Sequence, residues 1–259
     1  MKVNTQRLID RCIGTIICRI FSVYYRCCKK ESKPVEIKKI LIILLSEMGA
    51  LVLAYPMFQR LKEKFPDAAL HVMLFEKNRE VAELLGVIPP ENILTINDKS
   101  MPAFIGDAAG ALSSMRKIKF DAVIDCELFS RISSILAFLS GSAVRVGFHP
   151  HTQEGLYRGN FMNRPVLYNP YHHIARQFLT LVEAIDSDTH PKAKCQVPDE
   201  TLTIPTIEIG QKEIENAKIK LYASAPAIEG KKIVLLYHGG GLLPIRAWPL
   251  DYYLSLIHI

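Results

Sequence analysis

The sequence predicts an α/β fold built on a parallel sheet covered on both faces. Three observations carry this expectation. Short apolar runs alternate with amphipathic stretches from residue 39 onward; Pro and Gly stand at the ends of most of the amphipathic stretches; and 259 residues, 49% of them hydrophobic and 22% charged, can bury a full core with room for more than one domain.

Taken in order, residues 39–45 (KILIILL) read as a strand apolar on both faces, and 50–64 as a helix stopped by Pro66. Residues 69–75 form the next strand, 78–85 a helix closed by Gly86, and 92–96 a short strand. A helix over 103–118, a strand over 121–126, a helix over 130–139 ended by Gly141 and a strand over 143–148 follow. The last long helix of this part is expected over 171–185, before a proline-bearing linker over 186–205.

Parallel sheets of this kind bind ligands at the carboxyl ends of their strands. Three polar clusters are expected to converge there: Ser46-Glu47-Met48-Gly49, the stretch 127–131 with Glu127 and Arg131, and the loop 149–158 with His149, His151 and Glu154. Beyond the linker the pattern restarts. A helix over 210–222 precedes an apolar strand over 231–237, which runs into His238-Gly239-Gly240-Gly241. This reads as the start of a second Rossmann-like domain, cut off after its first strand, because too few residues follow for a doubly wound sheet. The closing LSLIHI is expected to be translated adapter sequence rather than native protein. The resulting division is 1–33, 34–205 and 206–259.

The formal charge of +6 is unevenly placed. Lys2, Arg7, Arg11, Arg19, Arg26, Lys29, Lys30, Lys33, Lys38 and Lys39 face only Asp10, Glu31 and Glu36, so residues 1–39 carry +7 and the rest of the chain −1. A nucleic-acid binder would spread its excess over a folded face, so nucleic acid is excluded as a partner. Within the basic segment, Leu8, Ile9, Cys12, Ile13, Ile16, Ile17, Ile20, Val23, Tyr24 and Cys27 recur at helical spacing. Arg19 interrupts the run, which is too short to span a bilayer, and no small-residue cleavage site follows. Two readings stand: residues 1–30 lie in the interface of an anionic membrane, or the helix packs on the protein's own body. The six cysteines form no CxxC pair, which speaks against structural zinc and fits reduced thiols in a cytoplasmic protein.

Three stretches, KKILIILLSEMGALVLAYPMFQRLKEKFPDAAL, FDAVIDCELFSRISSILAFLSGSAVRVGF and IVLLYHGGGLLPIRAWPLDYY, in this order and spacing, resemble glycosyltransferase family 9, the heptosyltransferases of lipopolysaccharide core assembly. The resemblance covers 38–253. It implies a GT-B architecture, with acceptor on the first Rossmann-like domain and sugar nucleotide mainly on the second. It also implies inverting, metal-independent transfer from a nucleotide-sugar donor to a lipid-linked glycan, with no resident cofactor, at the cytoplasmic face of a bacterial inner membrane.

Such a reaction needs a base for the acceptor hydroxyl and positive groups for the departing diphosphate. For the diphosphate, Gly239, Gly240 and Gly241 let backbone N–H groups approach phosphate, and Arg246 matches the family's basic residue before Trp-Pro. A plain loop and a surface Arg are the alternative. The family commonly carries Asp directly after the turn glycine, where this chain has Ala50. Glu47 and Glu127 are the available carboxylates; Glu47 reads equally as a turn or capping residue, and Glu127 as a partner of Arg131. Ser46, Gly49, Arg131, His149, His151 and Glu154 are the acceptor-binding candidates. His149, His151, His172 and His173 have only Glu154 near ligand spacing, so no metal site is expected. A catalytically lapsed glycan- or membrane-binding relative remains an alternative because of Ala50. A dinucleotide oxidoreductase is disfavoured, since no G-x-G-x-x-G follows Leu45.

Overall fold

The computed structural model describes residues 7–28, 35–45, 47–148, 156–187, 203–237, 239 and 247–258. Two compact units divide it, Met1–Ile207 and Glu208–Ile259.

The first unit is organised by a six-stranded sheet in the order β3-β2-β1-β4-β5-β6, every pair parallel. The strands are β1 (Lys39–Ile43), β2 (Ala69–Phe75), β3 (Ile93–Ile96), β4 (Ala122–Asp125), β5 (Val144–Phe148) and β6 (Arg164–Val166). Successive side chains of a strand point to opposite faces, and β1 is apolar at both. Ile40, Ile42 and Leu44 pack with Met57, Phe58, Leu61, Phe178 and Leu181, whereas Leu41, Ile43 and Leu45 pack with Met115, Ile135, Leu136 and Cys18. Helices α2 (Met48–Leu53), α3 (Tyr55–Lys64), α4 (Arg79–Leu85) and α7 (Ile174–Glu183) thus cover one face, and α5 (Met101–Ile118) and α6 (Arg131–Leu139) the other.

Four details depart from the sequence reading. The expected helix 50–64 is two helices broken at Ala54, because Pro56 has no N–H to continue the first and is accommodated in the first turn of the second. Helix α7 begins at Ile174 rather than 171, capped by the His173 ring, whose Nδ1 accepts from the Ala175 amide at 3.3 Å. Strand β6 was not expected, since Arg-Pro-Val lacks a strand's apolar signature. The expected strand 231–237 forms no strand: Val234, Leu235 and Tyr237 are 80%, 91% and 75% exposed, and among the described residues nothing pairs with the segment to build a ladder.

The N-terminal helix joins the first unit. A π-helical turn (Asp10–Gly14) leads into α1 (Thr15–Cys28), which lies on α6. Gly14 allows the approach, for a Cβ there would sit 3.0 Å from Arg131 Cβ. Phe21 stacks on Phe138 at 5.0 Å, Phe138 on Phe161 at 4.9 Å, and the Arg145 guanidinium lies over Tyr25 at 5.1 Å. Tyr157 donates to Ser22 Oγ at 2.8 Å and the Asn160 amide does so at 2.9 Å. Packing on the body is therefore realised for one side of the helix. Among the described residues no helix is long and apolar enough to cross a membrane.

In the second unit, α8 (Gln211–Ser224) has no buried residue. Trp248 packs against Tyr252 at 5.5 Å, tilted, and edge-on against Tyr253 at 5.4 Å, both from α9 (Leu250–Ile257).

Candidate functional site

Chain direction across the sheet reverses between β1 and β4: β2 and β3 are added on one side of β1, then β4, β5 and β6 on the other. The crevice outside the carboxyl ends of two such strands is where parallel α/β sheets hold ligands. Its walls here are the turn after β1, carrying Glu47 and Gly49, and the loop after β4, carrying Glu127 and leading into Arg131.

Glu47 is exposed and stands in extended conformation immediately before α2, with no side-chain cap bond. Gly49 is exposed and has nothing within 4 Å of a virtual Cβ. Ala50 turns toward the core instead. A carboxylate at position 47 is thus the acidic group this turn presents to solvent.

Glu127 is used differently. It is 8% exposed, and its Oε1 accepts from the Leu45 amide at 2.7 Å. From the other side, the buried Asn78 donates its Nδ2 to the Leu45 carbonyl at 3.0 Å. Leu45, two residues past β1, is therefore held at both its amide and its carbonyl by side chains from the β4 loop and the β2 loop, which sets where the Glu47 turn departs.

Arg131 does not behave as the simple i, i+4 partner of Glu127. Its guanidinium donates to the Tyr157 carbonyl at 2.9 Å and to Asp10 Oδ2 at 3.1 Å, because Asp10 also caps α6 and is already in place. Beneath it, Asp125, the last residue of β4, is fully buried and meets Arg158, itself 2% exposed, at 2.5 Å. Arg158 also donates to the Ser130 carbonyl and to Ser133 Oγ, tying the chain near 158 to the β4 loop. Burial pushes the Asp125 carboxyl up to about 6, with Arg158 acting against that rise. The neighbouring Cys126 thiol is raised well above its usual value, by burial first, which keeps it protonated.

Of the candidates, Glu47, Gly49, Glu127 and Arg131 come to one end of the sheet. Ser46, His149, His151 and Glu154 lie outside the described residues, as do Gly240, Gly241 and Arg246. Gly239 belongs to the second unit, where a Cβ would meet the Tyr237 hydroxyl at 2.8 Å. Sequence reasoning missed Asn78 and Asp125, and had Arg158 only as the end of the third polar cluster. An Asp closing an apolar strand, Val-Ile-Asp-Cys, was the available signal for one of them. Among the described residues no cluster of His, Cys, Asp and Glu could hold a metal ion.

No family model matches the chain, and no curated protein is significantly similar to it. Its structure is similar to that of a family 9 glycosyltransferase from Veillonella parvula, with a TM-score of 0.61 and 17% identity over 88% of this chain and 60% of that one. The fold is that of the family 9 glycosyltransferases. The ADP-heptose lipopolysaccharide heptosyltransferase II of E. coli is similar at a TM-score of 0.60 and 17% identity, over 85% of this chain and 60% of its own length. The chain thus spans 60% of the length of either solved structure.

Proposed function

We propose that the chain is a family 9 glycosyltransferase whose sheet unit binds the acceptor and whose residues from 206 onward begin the nucleotide-sugar domain. The observation that carries this reading is the family 9 fold over 88% of the chain, with a reversal crevice lined by acidic and basic side chains. One neighbour is named as an ADP-heptose lipopolysaccharide heptosyltransferase, which supports heptose from ADP-heptose as the transferred sugar and a lipopolysaccharide core or related lipid-linked glycan as acceptor. The reaction would be inverting and metal-independent, with the sugar nucleotide as substrate and no resident cofactor. The setting would be the cytoplasmic face of a bacterial inner membrane.

In this mechanism Glu47 takes the proton from the acceptor hydroxyl as it attacks the anomeric carbon, and the nucleoside diphosphate leaves from the opposite side. Gly239, Gly240, Gly241 and Arg246 would receive the diphosphate. Glu127, held to the Leu45 amide, positions the turn that bears Glu47. The competing reading, a catalytically lapsed relative, is favoured by Ala50 alone.

Release of ADP from ADP-heptose by the full-length protein, dependent on a lipopolysaccharide core acceptor, tests the proposal. Acceptor-dependent release supports it; sugar-nucleotide or glycan binding without release favours the lapsed relative.

A further inference from the structure

The N-terminal helix has two apolar sides, and among the described residues only one is packed. Gly14, Ile17, Cys18, Phe21 and Tyr25 face α6 and the 157–161 loop. On an adjoining side Ile13, Ile16, Ile20 and Val23 are 54%, 59%, 58% and 64% exposed, at the three- and four-residue steps that make one continuous stripe, and Tyr24, 60% exposed, sets its ring edge against Phe138 at the border between the two sides. Arg19 and Arg26, seven residues apart and so on one line of the helix, are exposed along a flank of this stripe. An apolar stripe of this length on a soluble surface marks an interaction site.

We propose that this outer stripe docks the sheet unit onto an anionic phospholipid surface, and that the helix acts as a fixed foot rather than a detachable anchor. Charge selects the occupant. The stripe lies in a segment carrying +7, against −1 for the remainder of the chain, which complements acidic headgroups. A two-fold pairing of this stripe with a second copy would bring the same basic flanks together. The foot is fixed because Asp10 holds Arg131 and Ser22 holds Tyr157 and Asn160, so the helix is fastened to the residues that follow β4 and approach β6. A docked helix therefore sets the height and tilt of the β1/β4 crevice above the lipid. The inference borrows the membrane setting from the proposed function, but its test needs no transferase activity.

The test is flotation of the 259-residue chain with vesicles of phosphatidylglycerol and phosphatidylethanolamine, against vesicles of phosphatidylcholine. Binding is expected to the first and to be weak to the second. The pair Ile16→Glu and Ile20→Glu, outside the packed side, should lower partitioning at least about tenfold with an unchanged unfolding midpoint. The pair Arg19→Gln and Arg26→Gln should lower it by about fivefold per charge at low salt and flatten its salt dependence. Absence of binding to the anionic vesicles, or undiminished binding by the Ile16→Glu/Ile20→Glu variant, overturns the proposal. So does a dimer in size-exclusion chromatography that this variant dissociates, since the stripe then belongs to a second copy.

Discussion

Asp10 and Arg131, 121 positions apart in the chain, are joined through both backbone and side chain: Oδ1 accepts from the Arg131 amide at 2.9 Å and Oδ2 from its guanidinium at 3.1 Å. The same Oδ1 accepts from the Ile132 amide at 3.1 Å, so a residue of the N-terminal helix caps α6, whose own Ser130 makes no side-chain cap bond. Asp10→Ala removes a cap and leaves the buried Arg131 guanidinium with the Tyr157 carbonyl but without its carboxylate partner. It should destabilise the first unit by about 3 kcal/mol, read from the urea midpoint.

The Asp125–Arg158 pair is more deeply buried. Asp125→Asn should cost about 3–5 kcal/mol by leaving Arg158 charged and unmatched, whereas the joint change Asp125→Leu with Arg158→Met should cost less than the sum of the single changes. Equilibrium denaturation of the four proteins closes the cycle. Strict additivity would mean that the two side chains do not act together.

The two crevice carboxylates should separate by assay. Under the proposed transferase reaction, Glu47→Gln should lower turnover about a hundred- to ten-thousand-fold, with donor affinity and stability unchanged because the side chain is exposed. Glu127→Gln keeps an acceptor for the Leu45 amide and should be mild. Glu127→Ala orphans that amide and should cost about 1–3 kcal/mol. Full turnover in Glu47→Gln, together with a dead Glu127→Gln, would move the base to the second loop.

Helices α3 and α7 are linked by Glu183, which receives Arg60 at 2.8 Å and Lys64 at 2.9 Å. Burial raises the Glu183 carboxyl, but the hydrogen bonds from Lys64 and Arg60 outweigh it and the net displacement is below the ordinary 4.5. A depressed folded-state value makes the contribution complete above the unfolded value and lost as pH falls through the folded one. The wild type should therefore exceed Glu183→Gln in thermal midpoint at pH 6, and the gap should close below pH 4. A gap that is constant with pH would rule out the ionic origin.

Segment 231–237 leaves Ile233, Val234, Leu235 and Tyr237 exposed, with no strand neighbour among the described residues. Such an apolar β-prone stretch recruits other chains. Val234→Lys with Leu235→Lys should raise the concentration at which light scattering first appears and leave the unfolding of the first unit unchanged.

Most of the sheet was legible because its central strands are apolar on both faces, a pattern that only a twice-covered parallel sheet explains. Ile40 to Leu45 shows it best. The break at Ala54 was written in Pro56, yet the amphipathic period on either side concealed it. The inward side of the N-terminal helix was hidden for another reason: with Ile13, Ile16 and Ile20 on one side and Cys18, Phe21 and Tyr25 on the other, apolar periodicity points two ways at once. At the crevice, strand order brought Glu47 and Glu127 to one end as expected. The bond between Glu127 and the Leu45 amide was illegible, since a backbone partner carries no side-chain signature.

Strand β6 closes the sheet with three residues, the middle one Pro165, opposite Gly147 of β5. Proline has no amide hydrogen to offer to either neighbour, so a visiting strand would find a gap at the centre of a ladder only three residues long. The sheet is thereby finite by its own chemistry. Among the described residues nothing pairs beyond β6, and so short a proline-bearing edge disfavours strand addition on that side, where a partner would bind side chains rather than extend the backbone ladder.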